Sequence, residues 1–261
     1  MCGRYKISTK AAEIIAAFDV DAVEDADLLR PRYNAAPTDL LPVIRVVDHK
    51  RVLRPLRWGL IPFWAKDETI GSRMINARSE SAFEKPAFRD ALENRRCLVV
   101  TDGFYEWRRE GKVKQPYLFQ LEDGHPFAFA GLWARWKGSA GPIDTFTVLT
   151  QDANEVVAPF HDRMPVILDP ADHQAWLDPE HKGVDLESLT HPRHIPNLTA
   201  IPVSQRVNRV DNDDPAVAEA AVVSPEPVQE KTTARTTAKK SPTTAAATGP
   251  RKKPGAQGSL F

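Results

Sequence analysis

The chain opens MCGRY, and its second residue poses a chemical question. If Met1 is removed, Cys2 carries a thiol and a free α-amine on adjacent carbons. An unperturbed α-amine titrates near ~8 and a cysteine thiol near ~8.5, so both are partly nucleophilic at neutral pH. Three further segments set polar side chains among apolar ones, where a plain core would not want them: MINARSE (74–80), TDGFYEW (101–107) and FHDRMP (160–165). In an extended MINARSE, Asn76 and Arg78 share one face. In TDGFYEW the carboxylate of Glu106 lies between two aromatics, a setting that desolvates it, raises its pKa and suits it to proton transfer. FHDRMP places His161, Asp162 and Arg163 just ahead of a proline. A fifth segment, RWGLIPFWAK, brings Trp58, Phe63 and Trp64 close together. Trp58 is expected in the core. Phe63 and Trp64 follow a proline and precede a lysine, so they are expected on a loop, where an aromatic can stack on a nucleobase.

Cysteine, asparagine, arginine, glutamate and histidine suggest covalent chemistry without a metal, and no cofactor is expected. The chain has only Cys2 and Cys97, with no C-x-x-C, which excludes a disulfide framework and a cysteine-based zinc site. Cys97, in RRCLVV, reads as a buried small hydrophobe. Three functions remain. An N-terminal nucleophile amidohydrolase would use Cys2 on an amide, with its own amine as base. Such enzymes also begin Met-Cys-Gly, but an apolar fourth residue and an Asn-Gly pair are expected there; here the fourth residue is Arg4 and no Asn-Gly occurs. A noncatalytic single-strand-binding module would use the arginines and Trp64 but leave Cys2, Glu106 and His161 idle. The third function is capture of an aldehyde. The amine forms a Schiff base, the thiol adds to it, and a five-membered thiazolidine closes. The abundant aldehyde that calls for arginines and stacking aromatics is the ring-opened sugar of an abasic site in DNA, whose phosphates arginines would hold.

Elements must position these groups. The chain has 261 residues, 42% of them apolar, with a formal net charge of zero. That is enough for one sizeable domain, and no global basic field advertises nucleic acid. A basic-then-apolar leader and an 18-residue apolar run are both missing, so a cytosolic protein without a membrane span is expected. KAAEIIAAF (10–18), SAFEKPAFRDALENR (81–95) and PADHQAWLDP (170–179) read as helical, the last opening on Asp169 and Pro170. LPVIRVV, RVLRPLRWGL, RCLVVTDGFYEW, PYLFQLE, PFAFAGLWARW and DTFTVLT read as short strands between turns. The expected class is α+β: one domain with a curved, barrel-like antiparallel sheet and flanking helices. It is expected to span residues 1–213. Residues 214–261 turn to Thr, Ala, Lys and Pro, too poor in apolar surface to offset ordering entropy, and are expected to form a disordered tail. Its excess of Lys and Arg is expected to solubilise it or to hold phosphates weakly.

Six ordered motifs, MCGRY, RYNAAP (32–37), WGLIPFWAK (58–66), INARSE (75–80), DGFYEW (102–107) and HDRMP (161–165), resemble the SRAP (SOS-response-associated peptidase) family of abasic-site processing proteins. The resemblance runs from Cys2 to about residues 212–215. It implies a single α+β domain that senses abasic sites in single-stranded DNA during replication-associated repair and crosslinks them through Cys2, with self-removal of Met1 and a possible lyase activity. By the same resemblance Cys2 is the crosslinking residue and Asn76 positions it. Glu106 manages the amine proton, and His161 acts on the sugar oxygen. Arg4, Arg78 and Arg163 contact phosphates, Asn34 and Thr150 supply polar contacts near the site, and Pro37 and Trp64 block duplex on one side. A monomer in the cytoplasm, associated with the nucleoid, is expected. Finally, Gln257, Leu260 and Phe261 resemble the Q-x-x-L-F peptide by which bacterial repair proteins dock on the replicative sliding clamp.

Overall fold

A computed structural model describes residues 2–110, 113–139, 141–182 and 184–222. Among them the strands are β1 (Tyr5–Ile7), β2 (Ala22–Val23), β3 (Arg32–Ala35), β4 (Leu40–Val47), β5 (Lys50–Trp58), β6 (Asn76–Arg78) and β7 (Arg96–Thr101). They continue with β8 (Gly103–Glu110), β9 (Val113–Leu121), β10 (Phe127–Gly138), β11 (Gly141–Asp152), β12 (Arg163–Pro165), β13 (Ile167–Leu168) and β14 (Leu198–Pro202). Helices are short: α1 (Ala11–Ala17), α2 (Ser79–Ala82), α3 (Arg89–Asn94), α4 (His173–Leu177) and α5 (Val184–Ser188).

The strands form two sheets. The first runs β14-β9-β8-β1-β3. In the second, β11, β10, β7, β4 and β5 follow one another, and β5 pairs back onto β11 in parallel through Arg57 and Trp58. That pairing closes a five-stranded ring, which removes the exposed edges an open sheet would leave. The α+β class and the barrel-like sheet expected from the sequence are therefore present. Aromatic side chains join the two sheets. Tyr5 of the first sheet packs on Trp58 (ring centroids 5.1 Å apart) and edge-on to Phe129 (6.0 Å), both from the second. Phe104 lies against Phe119 and Phe129. Trp58 is fully buried and donates its indole N–H to the Ile75 carbonyl at 2.9 Å.

Three expectations are revised. The helix read over 81–95 is two helices, α2 and α3, interrupted around Pro86, whose ring lacks the N–H and crowds the preceding turn. The strands read in PFAFAGLWARW and DTFTVLT are longer than expected, running on as β10 to Gly138 and as β11 from Gly141 to Asp152, and pair as one hairpin. The ordered body also passes residue 213. Asp213 accepts from the Tyr33 and Asn34 backbone N–H groups at 2.6 and 2.8 Å and pairs with Arg32. Asp214 caps a 3-10 turn over Pro215–Val217, and Val217 is fully buried beside Tyr105, Leu118, Val203 and Val207. One valine placed in a preformed apolar notch anchors a segment whose composition alone would not fold. The tail from 223, including Gln257, Leu260 and Phe261, lies outside the described residues. Among the described residues no helix is long and apolar enough to cross a membrane.

Candidate active site at the seam of the two sheets

Cys2, Gly3 and Arg4 lead into β1, which is hydrogen-bonded between β3 and β8. The Tyr105 N–H donates to the Arg4 carbonyl at 3.0 Å, fixing this approach. Asp102, buried at the β7–β8 corner, accepts from the N–H and hydroxyl groups of Ser8 and Thr9 and from Lys6, so the residues after Cys2 are pinned at both ends of β1. Gly103 lets β8 come close: a Cβ there would stand 2.6 Å from the Phe119 carbonyl oxygen. The stretch RCLVVTDGFYEW, read as one strand, is two, β7 and β8, on either side of Asp102.

Four segments converge. β8 carries Glu106, buried, two residues beyond the Tyr5–Phe104 pair. β6 lies parallel to β11, with Ala77 inward and Asn76 and Arg78 on the other face, as the alternation predicts. From there the Asn76 amide donates to the Cys2 carbonyl at 2.7 Å. His161 precedes β12, and its Nδ1 accepts the Arg163 backbone N–H at 2.9 Å. The same nitrogen lies 2.8 Å from an Asp162 carboxylate oxygen. Glu106 and His161 line one open cleft of about 590 Å³ with Gly3, Arg4, Trp107, Lys114 and Asn208. Cys2 and Glu106 thus come from the first sheet, and Asn76 and His161 from the second.

Electrostatics follow from burial. The Cys2 sulfur is wholly buried, and burial, reinforced by the neighbouring Glu106 carboxylate, pushes its thiol pKa well up. Burial also raises the Glu106 carboxyl above the usual carboxylate range, against the opposing pull of His161. Glu106 is desolvated as expected, but not by its aromatic neighbours, which alternate to the other face of β8 and pack with Leu118, Val203 and Val207.

The remaining expected residues divide. Arg78 is exposed, and no ion pair holds its guanidinium among the described residues. Phe63 and Trp64 are exposed (67% and 51%) on the turn after β5, and Trp136 donates to the Ala65 carbonyl at 2.8 Å to hold that turn. Pro37 is half-buried. Arg4 reaches the cleft, its pKa lowered by burial. Asn34 and Thr150 are fully buried and present no exposed surface for the contacts expected of them. Arg163 also departs from expectation. Its guanidinium is held by both oxygens of Glu80, by Asp152 at 2.6 Å and by the Thr150 carbonyl at 2.7 Å. In this state it ties α2, β11 and β12 together and offers no open face to a phosphate. Trp107, Lys114 and Asn208 were not singled out from the sequence. Trp107 donates to the Asn208 side chain at 2.7 Å, and its place in the strand that carries Glu106 was the available signal. Among the described residues no group of three or more His, Cys, Asp or Glu side chains could hold a metal ion.

An α+β fold whose second residue is a cysteine, held by an asparagine and beside a buried glutamate that shares a cleft with a histidine, defines the class. The family model described as SOS response associated peptidase (SRAP) matches residues 1–210, and the chain belongs to that family. It is 42% identical over 223 residues to "Abasic site processing protein YoqW" of Bacillus subtilis, covering 84% of this chain and 99% of that one. It is 34% identical over 220 residues to "Abasic site processing protein HMCES" of Gallus gallus, covering 71% of this chain and 65% of that longer one. A crystal structure of a protein from Bacteroides thetaiotaomicron superposes with a TM-score of 0.77 at 29% identity, covering 85% of this chain and all of that one.

Proposed function

We propose that this protein processes abasic sites in single-stranded DNA by forming a covalent crosslink through Cys2 once Met1 is gone. The observation that carries the proposal is the Asn76 amide on the Cys2 carbonyl, with Glu106 and His161 brought to the same place from different sheets. Family membership and the names of the relatives support it. An amidohydrolase would not need the arginine at the cleft or the exposed aromatics nearby, and a plain binding module would not need a buried carboxylate beside a thiol.

The chemistry balances without a cofactor. His161 protonates the sugar ring oxygen as the hemiacetal opens, and the anomeric hydroxyl gives up its proton as it becomes the aldehyde carbonyl. The Cys2 amine adds to the aldehyde carbon, giving a carbinolamine. Glu106, whose raised pKa lets it hold a proton, delivers that proton to the departing hydroxyl; one water leaves and a C=N bond remains. The sulfur then adds to that carbon, a C–S bond forms, and the thiol proton ends on nitrogen. Arg4 and Arg78 hold flanking phosphates, and Pro37, Phe63 and Trp64 stack on or block the neighbouring bases. Strand cleavage from the imine belongs to the same reading, because an imine that escapes ring closure acidifies the adjacent C–H.

Intact-protein mass spectrometry, alone and after mixing with an abasic oligonucleotide, tests this. The purified protein is expected to lack Met1 and to gain the oligonucleotide's mass less one water. Cys2→Ser is expected to leave only a borohydride-trappable imine. If Cys2→Ala crosslinks as stably as wild type, the proposal is wrong. Retention of Met1 by Glu106→Gln alone would mark its removal as the protein's own reaction. Docking of Gln257, Leu260 and Phe261 on a sliding clamp would tether the domain at replication forks at high effective concentration. Failure of the last ten residues to bind purified clamp at 100 µM peptide, a chosen assay limit on the order of weak micromolar affinity, would leave the tail without that role.

A further inference from the structure

Arg4 is gripped in an asymmetric way. Its Nη1 donates to Asn34 Oδ1 at 2.8 Å and to the Val207 carbonyl at 2.9 Å. Those two bonds use both N–H groups of one guanidinium nitrogen. The Nε–H and the two Nη2–H groups have no partner among the described residues, and Arg4 lines the cleft. The Nε–Nη2 edge is the side of the fork that meets a phosphate or carboxylate with two parallel hydrogen bonds.

Both holders of Nη1 depend on the segment after β14. The Asn34 amide donates to the carbonyls of Val207, Arg209 and Asn212 at 3.2, 3.0 and 2.8 Å. Asp213 accepts from the backbone N–H groups of Tyr33 and Asn34 and pairs with Arg32, which also reaches Asp39 at 2.5 Å. Val207 is fully buried and anchors the loop from below.

We infer that Asn34 and Asp213 are positioning residues. They strap the loop 207–213 against β3 so that Asn34 and Val207 occupy one nitrogen of Arg4 and present its Nε–Nη2 edge to a single phosphate of the bound strand. Asn34 therefore acts through Arg4 and does not itself touch DNA. The inference rests on the DNA-binding reading but not on the crosslinking chemistry, so undamaged single-stranded DNA is a sufficient probe.

The test measures binding of an undamaged oligonucleotide by full-length wild type, Arg4→Ala, Arg4→Lys, Asn34→Ala, Asp213→Asn and Arg4→Ala/Asn34→Ala across a salt series, each checked for folding by thermal melt. Loss of one phosphate contact lowers the slope of log K against log salt by about 0.7 for a single strand. Arg4→Ala, Asn34→Ala and Asp213→Asn are each expected to lower the slope by that amount and to weaken binding by about tenfold. The double variant is expected to be no worse than Arg4→Ala, because both changes remove one contact. Arg4→Lys is expected to behave like Arg4→Ala, because an ammonium cannot serve two holders and still offer a two-donor edge. Additive losses in the double variant, or a wild-type slope retained by folded Asn34→Ala and Asp213→Asn, would overturn the positioning role. If Asn34→Ala is too unstable to assay, Asp213→Asn and Arg4→Lys decide alone. A wild type that binds no single-stranded DNA would instead remove the reading on which the inference rests.

Discussion

Asn76 offers the sharpest separation between a structural and a chemical role. Its amide makes one short bond, 2.7 Å, to the Cys2 carbonyl, and its backbone sits in β6 opposite Val148 of β11. Removing the amide costs one neutral hydrogen bond at a half-buried position, about 0.5–1.5 kcal/mol of stability. For a unit of this size that corresponds to a fall in Tm of only ~1–6 °C. The effect on rate is expected to be much larger. The bond fixes the peptide group next to both nucleophiles, and a misplacement of ~1 Å at a reacting centre can cost about 10²-fold. Asn76→Asp is the more telling change. It keeps the shape but replaces a donor with a carboxylate that repels the carbonyl it faced, so it is expected to crosslink no faster than Asn76→Ala. The assay is single-turnover crosslinking to an abasic oligonucleotide on denaturing gels, with a melt of each variant. Folded Asn76→Ala and Asn76→Asp proteins that both crosslink within twofold of wild type would refute the positioning argument.

Further outcomes concern Glu106, Arg163 with Arg78, and His173. Glu106→Gln should slow adduct formation by about 10²–10⁴-fold while leaving binding of undamaged DNA intact, as read by the same gel assay and a binding isotherm. Because burial raises the Glu106 pKa, the folded state holds that proton over a pH range where the unfolded chain has lost it; wild-type stability should fall as pH rises through that range, and the Gln variant should lack the fall. Arg163→Ala should cost about 1–3 kcal/mol in urea melts, less than a fully buried pair because Glu80 and Asp152 are half or more exposed, whereas Arg78→Ala should leave stability unchanged and lower the salt slope of DNA binding. His173, stacked on Phe18 and buried, has its pKa lowered from 6.5 to about 4. The unfolded chain therefore binds more protons between those values, and stability should fall as pH drops from 6.5 toward 4, by up to about 3 kcal/mol; a His173→Phe variant that loses as much would rule this out.

Local pattern made some of the site legible. Alternation placed Asn76 and Arg78 on one face because β6 is extended; the aromatic neighbours of Glu106 lie on the other face of β8, so the burial expected of its carboxylate comes from packing on its own side of the strand. Pro62 marked the turn that exposes Phe63 and Trp64. Residues whose roles depend on distant partners were not legible. Arg163 looks like a free cation until Glu80, 83 residues earlier, is folded against it. Asn34 looks like a surface contact until its amide meets carbonyls more than 170 residues later. Composition correctly flagged residues after 213 as poor in apolar groups, yet Val217 finds a notch made by Tyr105, Leu118, Val203 and Val207, which no local pattern could announce.

A buried thiol with a raised pKa looks at first like poor material for a covalent site, since thiolate character normally sets cysteine reactivity. In the proposed sequence the thiol is not the first nucleophile. The amine commits the substrate, and only then does the sulfur meet a carbon already tethered to it through nitrogen, Cα and Cβ, where effective concentrations of about 10⁵–10⁸ M are available to a well-oriented intramolecular step. A neutral thiol suffices there, because its proton has a destination on the imine nitrogen. Burial, which holds the proton on sulfur, then serves selectivity: an electrophile that cannot first form an imine with the terminal amine finds a protonated, enclosed sulfur. The seam between the two sheets is suited to this task, because Asn76 and Glu106 come from different sheets and any shift of one sheet against the other would separate the carbonyl clamp from the proton donor. The Tyr5, Trp58 and Phe129 rings packed across that seam resist such a shift, and in this way the aromatic core fixes the geometry of the site.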